Sequence, residues 1–447
     1  MLGVGMHPFA AYRSRVPIAF PAGFSWDRVR FDIGIEQIGG AYRAAVEPRD
    51  LVDPAIWTGA AIHVDGVGGD DSNSGLGGQD GDFTNAKRTI HAAFTEGNAT
   101  GAAYRVLVKP GDYAEAAFTR NGSDEPNQHV AVIGWGGPLR YRSGPFDVTW
   151  SDGGGTFTAN ESSVRRVFRS DMLTPEELYT ELSEAPDVAS CAATVNTWVH
   201  DGALLHVNIG SAPGARDIAV IRSFHGARFL THDKDFYLEN VHCEGGITGA
   251  LHFDAVATRN IVGVNCTFRY SAPSNPTALQ DAARVRRTNG LVAFFDCDAS
   301  GGAKDGWSFH EDGTPGMHVL LLGCSGWRNG FSTATSCNGF TTHDGVRAIL
   351  LGGDFGLSRN GTEVHVIQST ETWAAGCHAV ARDVDGSSVA FKCSNDALMW
   401  LQDCSGDAAG QTENYALQAN AGTVFTRGFS ALAGGVEVSS GGSVTPF

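Results

Sequence analysis

The sequence predicts an all-β solenoid, in which short parallel strands stack coil upon coil into one elongated domain. Glycine accounts for 58 of 447 residues, against an average of about 7%, which indicates many tight turns and short strands. Apolar runs recur, and three of them end at residues 297, 324 and 353, which are 27 and 29 residues apart. A period of about 20–50 residues is typical of solenoids. The runs are VAVIGW (130–135), DIAVIRSF (217–224), LVAFFDC (291–297), HVLLLGC (318–324), RAILLGG (347–353) and SVAFKC (388–393).

Residues 62–117 open the predicted solenoid. The segment IHVDGVGGDDSNSG reads as a strand followed by a polar turn cluster. In the following stretch, Thr84 is the expected N-cap of a helix with Ile90, Ala93 and Phe94 on one face, and RVLVKPGDY is a strand with a Pro-Gly turn. In this order the stretch resembles the opening of pectate-lyase-like right-handed parallel β-helices. The resemblance implies a right-handed parallel β-helix with a polysaccharide-facing flank.

The chain divides into two predicted parts. Residues 1–59 contain no repeat, and we interpret them as an N-terminal attachment or capping segment. Residues 60–447 form the predicted β-helix, with an insertion over about 172–212. Within the insertion, TPEELYTELSEAP (174–186) carries a Ser/Thr-x-x-Glu capping box and leucines at helical spacing, which predicts a short helix. The segment NTWVHDGALLHVNIG follows and predicts a hairpin.

Several predicted strands are apolar at four consecutive positions, as at 319–322 and 348–351. A strand with one solvated face alternates apolar and polar residues, so these strands are expected to be buried on both faces. The cover on their outer face would come from loops or from another subunit. We therefore expect a parallel homotrimer as one arrangement that supplies this cover.

The net charge limits the kinds of binding partner, and the cysteine content indicates the redox compartment in which the protein folds. The net charge is −17, from 49 acidic and 32 basic residues, which disfavours nucleic-acid binding because phosphate neutralisation needs a basic face. The nine cysteines contain no CxxC pair, so we expect buried free thiols in a reducing compartment. The N-terminus shows no secretory signal pattern, and no run of about 18 apolar residues predicts membrane insertion.

The loop at 65–74, rich in Asp, Gly, Ser and Asn, offers oxygen ligands for Ca²⁺. Its residue order does not match that of an EF-hand, and we favour a polar turn there. No cofactor is therefore predicted.

One phrase is repeated. DGWSFHEDG at 305–313 is followed by NGFTTHDG at 338–345. As strands of consecutive coils, the two stretches would send Trp307 into the rod, whereas His310 and His343 would stack on an outer face. Asp312 and Asp344 would follow at adjacent turns.

Polar side chains in this position suit saccharide chemistry. Hydrolysis needs a carboxylic acid and a second carboxylate, whereas elimination from a uronate needs a base and a charge stabiliser. A histidine would be that base, Arg328 would stabilise the charge, and Trp327 would stack on a sugar ring. The candidate catalytic residues are Asp305, His310, Glu311, Asp312, His343 and Asp344, and the candidate substrate-binding residues are Trp307, Trp327 and Arg328.

Two further interpretations of the repeated phrase stay open. The phrase is also what a purely structural polar ladder would show, since Asp-Gly and Asn-Gly are turn dipeptides first. Saccharide binding without cleavage is the other. A metal site at His310, His343 and Asp344 is disfavoured, and no metal is predicted.

These features together resemble phage spikes in layout, with an N-terminal attachment segment followed by a β-helix. The resemblance implies a homotrimeric virion spike or fibre protein that is assembled in the host cytoplasm, is released by lysis and binds host surface polysaccharide, with depolymerase activity as an option. Its N-terminal segment would bind a virion structural protein. The alternatives are a polysaccharide lyase or glycoside hydrolase of the same fold, and a structural virion component without a ligand.

Overall fold

The computed structural model describes residues 15–115, 125–255, 257–274, 280–331, 336–381, 388–409 and 414–447. Over these residues the chain forms a parallel β-solenoid with three sheets, which confirms the predicted fold class. We name them sheets A, B and C, because a full coil passes through them in that order before a loop returns to sheet A. Sheet B has twelve strands, which at about 4.8 Å per strand give a stack about 50 Å long.

Within each of the three sheets, neighbouring strands run parallel to one another. Sheet A consists of Ala227–His232, Leu251–Ala255, Ala283–Arg286, Trp307–His310, Asn338–His343, Thr362–Ile367, Val389–Ser394, Tyr415–Asn420 and Gly435–Ser439. Sheet B consists of Ala60–Val64, Tyr104–Val108, Val130–Gly134, Phe236–Glu239, Ile261–Val264, Leu291–Phe295, His318–Leu322, Arg347–Leu351, Glu371–Ala375, Leu398–Gln402, Thr423–Arg427 and Ser443–Pro446. Sheet C consists of Gly111–Tyr113, Leu139–Arg142, Val241–Glu244, Thr267–Arg269, Asp298–Ser300, Ser325–Trp327, Asp354–Gly356, His378–Val380, Ser405–Asp407 and Ser430–Ala433.

The turn from sheet B to sheet C explains much of the glycine and cysteine pattern. One residue in this turn has left-handed backbone, which Gly, Asn and Asp adopt most readily. In eight coils these residues are Asn240, Asn265, Asp296, Gly323, Gly352, Gly376, Asp403 and Gly428. A cysteine follows in five of the coils and points into the rod. All nine cysteines are buried and unpaired, as predicted.

The strands of sheet B are apolar on both faces because each face packs against a different layer. Val319 and Leu321 belong to the core inside the rod, whereas Leu320 and Leu322 point outward into a second apolar cluster. Each fully buried aliphatic side chain of this kind contributes about 1.5–3 kcal/mol to folding.

The chain's own N-terminal segment covers the outer face of sheet B. We call residues 15–59 the strap. It contains the antiparallel strands Arg15–Ile18, Gly34–Ile38 and Ala41–Ala45, the 3-10 helix Pro48–Leu51 and the short helix Ala55–Thr58. The strap extends along several coils, since Phe24 packs on Trp400 and the Asn260 amide donates to the Leu51 carbonyl at 2.7 Å. Residues 1–14 of the predicted N-terminal segment lie outside the described residues.

The strap removes the need for a neighbouring subunit to cover sheet B. The prediction that the outer apolar face is covered is confirmed, but the cover is intramolecular. Trp26 packs on His318 with 4.8 Å between ring centroids, and Ser25 bonds to the Glu371 carboxylate through both its backbone N–H and its hydroxyl, each at 2.7 Å. The apolar strands therefore give no reason to invoke neighbouring subunits.

A helix closes the N-terminal end of the core, as the opening segment predicted. Helix Ile90–Ala99 places Ile90, Ala93 and Phe94 in the rod core. Its N-cap is Thr89, which accepts a hydrogen bond from the Ala92 N–H at 3.1 Å. The prediction that Thr84 is the N-cap is wrong. Its hydroxyl and backbone N–H both donate to the Asp82 carboxylate.

The insertion lies between sheets C and A and is built mainly of strands. One group is antiparallel throughout and consists of Val164–Leu173, Tyr179–Glu181 and Ile218–Arg222. The other is mixed and consists of Ser151–Asp152, Phe157–Ala159, Ser183–Glu184, Thr197–His200 and Leu205–Asn208, with Ser183–Glu184 parallel to Thr197–His200. These strands span residues 151–222, more than the predicted 172–212. The predicted hairpin is confirmed at Thr197–His200 and Leu205–Asn208, whereas the run at 217–224 belongs to the insertion and not to a coil.

The predicted helix at 174–186 is wrong. The Glu177 N–H donates to the Thr174 carbonyl at 3.0 Å, and Glu177 has a positive φ of 58°, so the segment is a hairpin turn. Tertiary contacts override the helical spacing, since Leu178 is buried against the rod and Tyr179 stacks on Tyr270. A helix occurs later, at Val188–Ala193, with Asp187 as its N-cap. None of the helices in the described ranges is long and apolar enough to cross a membrane.

Candidate functional site

Polar side chains line the outer face of sheet A, in contrast to the apolar outer face of sheet B. We call it the sheet A face. Strand register aligns the outward residues into two rows that run along the rod. The first row is Arg228, His252, Arg284, Ser308, Thr341, His365 and Lys392, and the second contains Asp254, Arg286, His310 and His343.

His310 and His343 are in register on neighbouring strands, as the repeated phrase predicted. Their rings stack with 4.3 Å between centroids and 7° between planes, and both residues are half-buried. Each ring is oriented by a hydroxyl two residues earlier on its own strand. Ser308 Oγ lies 2.9 Å from His310 Nε2, and Thr341 Oγ1 lies 3.3 Å from His343 Nε2.

Both histidines are held in the neutral form. Burial, followed by the neighbouring His343 and the charge of Arg284, lowers the pKa of His310 to about 4. Burial also lowers the pKa of His343, although Asp344 and Asp281 oppose the shift. At neutral pH the pair therefore has ring nitrogens that can accept a proton.

Asp281 and Arg284 are functional candidates that sequence reasoning missed. Both interact electrostatically with the histidine pair, and Arg284 Nε lies 3.6 Å from Asp281 Oδ2. Arg284 lies in the strand Ala283–Arg286 before the repeated phrase, and Asp281 lies two residues before that strand. The residues around them (QDAARVRR) carry no repeat. The one available signal was their coil position, one period before Asp305 and Ser308.

Asp312 and Asp344 lie beside the pair but have structural bonds. Each has a positive φ, 44° and 72°, so both form the turn from sheet A to sheet B. The Asp312 N–H donates to Asp344 Oδ2 at 3.1 Å, and Arg286 pairs with the Asp312 carboxylate. Burial raises the pKa of Asp312, but the Arg286 hydrogen bond and charge outweigh it and leave the pKa below its ordinary value.

One group near the pair has the composition of a cation site. Ligand atoms of His310, Asp312 and Asp344 lie within 4.8 Å of one another, and an imidazole with two carboxylates suits a divalent metal. Arg286 already occupies Asp312, so a cation would have to displace it.

Asp305 lies in the interior rather than on the face. It is 5% exposed and accepts hydrogen bonds from the backbone and side-chain nitrogens of Asn338, at 2.9 and 3.1 Å. Burial and the nearby Asp281 charge raise its pKa. The structure thus places Asp305 where it holds the next coil in register.

Glu311 clamps the turn that follows its strand. Its Oε1 accepts hydrogen bonds from the backbone N–H groups of Gly316 and Met317, at 2.8 and 3.1 Å. The residue is 5% exposed. We therefore do not include Glu311 among the groups that face a ligand.

The three predicted substrate-binding residues lie elsewhere. Trp307 points into the rod and is fully buried, so its assignment to substrate binding is wrong. Trp327 lies on the outer face of sheet C and packs under the insertion. Arg328 pairs with Glu176 of the insertion at 2.6 Å. Both side chains dock the insertion on the rod, and the structure does not bring them to the histidine pair.

The carboxylates of the 65–74 loop are bound by protein donors. Asp65 accepts hydrogen bonds from Lys109 Nζ and from the Val67 and Gly68 N–H groups. Asp71 accepts from the N–H of Thr89, the N-cap residue of the helix that closes the core. These contacts are those of a polar turn.

A groove of about 920 Å³ opens between the insertion and the loops that lead from sheet C to sheet A. Its wall contains Glu181, which pairs with buried Arg166 at 2.7 Å. None of the sequence-predicted site residues is among its described lining residues, which are Val164, Arg165, Glu181, Leu182, Ser183, Glu184, Ala185, Pro186, Trp198, Val199, His200, Pro273, Gly330, Phe331 and Arg359.

Comparison with known proteins identifies a structural neighbour at low sequence identity. No family model matches the chain, and no curated protein matches it. A solved structure titled "Glycoside hydrolase" is similar over 86% of this chain and 97% of its own, with 9% sequence identity and a TM-score of 0.42. The proposals below rest on the residues of this chain.

Proposed function

We propose that the protein binds a cell-surface polysaccharide along the sheet A face, at and around His310 and His343. The observation that supports this site most strongly is the stacked pair of His310 and His343 on a face lined by polar side chains. The strap covers the outer face of sheet B, and the insertion packs on sheet C near Trp327. The sheet A face presents rows of histidine, arginine and hydroxyl side chains. A linear polymer suits such a face, because equivalent side chains repeat at about 4.8 Å along the rod.

If the bound polymer is cleaved, the geometry favours elimination over hydrolysis. Elimination needs a neutral base and a positive group near the developing charge; His310 and Arg284 provide these two functions. Hydrolysis needs a protonated carboxyl at the site. The depressed pKa of Asp312 keeps it ionised, and Asp305, whose pKa is raised, is buried.

The biological role that we propose is that of a host-recognition spike or fibre of a phage or phage-like particle. The sequence supports this through its layout, a non-repeating N-terminal segment followed by a β-helix. In this proposal the protein is a homotrimer and the N-terminal segment also contacts a virion structural protein. Sedimentation velocity tests the trimer: three times the 47.1 kDa chain mass is expected, and a monomer at micromolar concentration would contradict it.

The function is tested by incubating the protein with a panel of capsular polysaccharides and lipopolysaccharides. The size of the polymer is followed by size-exclusion chromatography, and unsaturated uronates are followed by their ultraviolet absorbance. Shortened polymer with new absorbance identifies a lyase, and shortened polymer without it identifies a hydrolase. Retention of intact polymer identifies an adhesin. If the protein retains no polymer of the panel and cleaves none, it is a structural component and the proposal fails.

A further inference from the structure

Three nitrogen-rich side chains lie in register at the N-terminal end of the sheet A face. Arg228, His252 and Arg284 are on neighbouring strands, with Arg228 opposite His252 and His252 opposite Arg284. Each step corresponds to about 4.8 Å along the rod. Arg284 is in turn opposite Ser308, the hydroxyl that orients His310. The three side chains therefore continue the same face toward its N-terminal end.

His252 is buried without a partner. It is 7% exposed, and neither ring nitrogen makes a hydrogen bond. A buried polar group without a hydrogen-bond partner destabilises the fold. His365, in the same row, is similarly buried, yet its Nε2 lies 3.1 Å from Ser394 Oγ. A ligand that hydrogen-bonds to a ring nitrogen of His252 would therefore stabilise this site.

Arginines supply the largest charges that act on His252. The charges of Arg284, Arg228, Arg286 and Arg287 all act on its ring, although the chain as a whole has a net charge of −17. The Nε atoms of Arg228 and Arg284 are also buried without a hydrogen-bond partner. Three N–H-bearing groups therefore lie side by side with unused hydrogen-bonding capacity.

Two of the nearby carboxylates are engaged by other groups. Asp254 pairs with Arg287, and Glu125 accepts the Leu230 N–H at 2.9 Å. The third, Asp281, forms an ion pair with Arg284 at 3.6 Å but no hydrogen bond, so a bound anion would share Arg284 with it. In the described part of the chain, no carboxylate hydrogen-bonds to Arg228, His252 or Arg284, which leaves room for an anion from outside.

We propose that Arg228, His252 and Arg284 form an anion-binding subsite that receives a carboxylate or sulfate substituent of the bound glycan. The oxygens of such a group would accept hydrogen bonds from the two guanidinium groups and from one ring nitrogen of His252. The assignment of the anion to a glycan rests on the proposed function. The binding of an anion by these three residues does not.

The test is a nuclear magnetic resonance titration of the full chain labelled with ¹³C-histidine. The resonance of His252 is assigned by its loss in His252→Gln. Sodium sulfate and sodium galacturonate are added in separate titrations, with sodium chloride holding the ionic strength constant. We expect a saturable shift of the His252 resonance with at least one of the two anions, and the stronger of them identifies the substituent.

Two variants decide whether the three residues are responsible. Arg228→Gln combined with Arg284→Gln is expected to weaken anion binding about tenfold or more. Arg43→Gln removes one positive charge from the exposed side of the strap, away from the sheet A face, and is expected to bind like the wild type. The histidine spectrum reports whether each variant is folded.

The subsite is refuted if neither anion produces a saturable shift in the wild type, or if the double arginine variant binds as tightly as Arg43→Gln. Because the titration uses no polysaccharide, its failure is separate from failure of the polysaccharide panel. Anion binding with a negative panel would retain the subsite and remove the glycan.

Discussion

His365 lies in the outward row of sheet A and is almost wholly enclosed, at 9% exposure. Burial, followed by the charge of Lys392, lowers its pKa from 6.5 to about 3. Between these values the unfolded chain holds a proton that the folded chain does not. The stabilisation from this group is therefore complete above pH 6.5 and is lost as the pH falls through this window.

We expect His365→Gln to flatten the pH dependence of stability between pH 6.5 and pH 4. The difference in slope is at most about 1.4 kcal/mol per pH unit. Urea unfolding of the wild type and the variant at several pH values measures it. Parallel pH profiles would show that His365 titrates normally in the folded protein.

Gly306, which precedes the first histidine strand, is required by close packing of three coils. Its φ is not positive; a Cβ atom there would lie 2.5 Å from the Ala299 carbonyl oxygen and 2.6 Å from that of Gly339. We expect Gly306→Ala to destabilise the fold by about 2–4 kcal/mol, because backbone atoms would have to move. Gly313→Ala on the adjacent turn meets no atom within 4 Å and bears only the strain of a φ of 83°, so it should cost about 1 kcal/mol. Equal losses for the two variants in thermal unfolding would contradict this account.

Residue-scale prediction succeeded where two periodicities coincided. Alternation along a strand and the repeat between coils together placed His310 over His343. They did not determine whether a polar residue would lie on the face or in the loops before and after the strand, so Asp305 and Glu311 were included in the site. Asp281 was missed because the segment around it shares no phrase with the next coil.

At the scale of elements, the strap is a separate layer held on sheet B by apolar packing and a few polar bonds. Gln402 Nε2 donates to Tyr42 Oη at 2.9 Å, and Arg49 pairs with Glu239 at 3.0 Å. The sequence predicted that the face was covered but not by what, because contacts between residues about 300 positions apart leave no periodic signal.

We expect Leu320→Asp to release the strap from the rod. Leu320 is fully buried beneath it, and an uncompensated carboxylate there costs about 3 kcal/mol or more. Limited proteolysis should then cleave within residues 15–59, while the far-ultraviolet circular dichroism of the rod persists. Leu432→Asp, the same change at a position 62% exposed, is the control. Loss of the whole β-sheet signal would contradict a separate layer.

The insertion shows how tertiary contacts override a local pattern. Its capping-box sequence is compatible with a helix, but Arg166, which donates to the Ser271 and Gly301 carbonyls at 2.7 Å, anchors the adjoining strand on the rod. The hairpin Val164–Leu173 and Tyr179–Glu181 follows from that anchoring. A single-sequence pattern contains no information about such a partner surface.

For the whole molecule, the central point is that each outer face has a different environment. The strap lies on sheet B, the insertion packs on the outer face of sheet C, and sheet A keeps a polar face with a stacked histidine pair. Fold class and coil period could be predicted because they are properties of the repeat. Which segment covers which outer face could not be predicted, because the strap and the insertion are non-repeating.

The most direct test of this account is the binding of fluorescently labelled polysaccharide, taken from the panel member that the wild type retains, to His310→Ala/His343→Ala. The half-buried side chains make few bonds, so the folded state should lose only about 1 kcal/mol, which thermal unfolding checks. His378→Ala, which removes a half-buried histidine from sheet C rather than from the sheet A face, serves as the matched control. We expect the double variant to bind at least about tenfold more weakly while the control binds like the wild type. Undiminished binding by a folded double variant would contradict the assignment of the glycan to the sheet A face around the histidine pair.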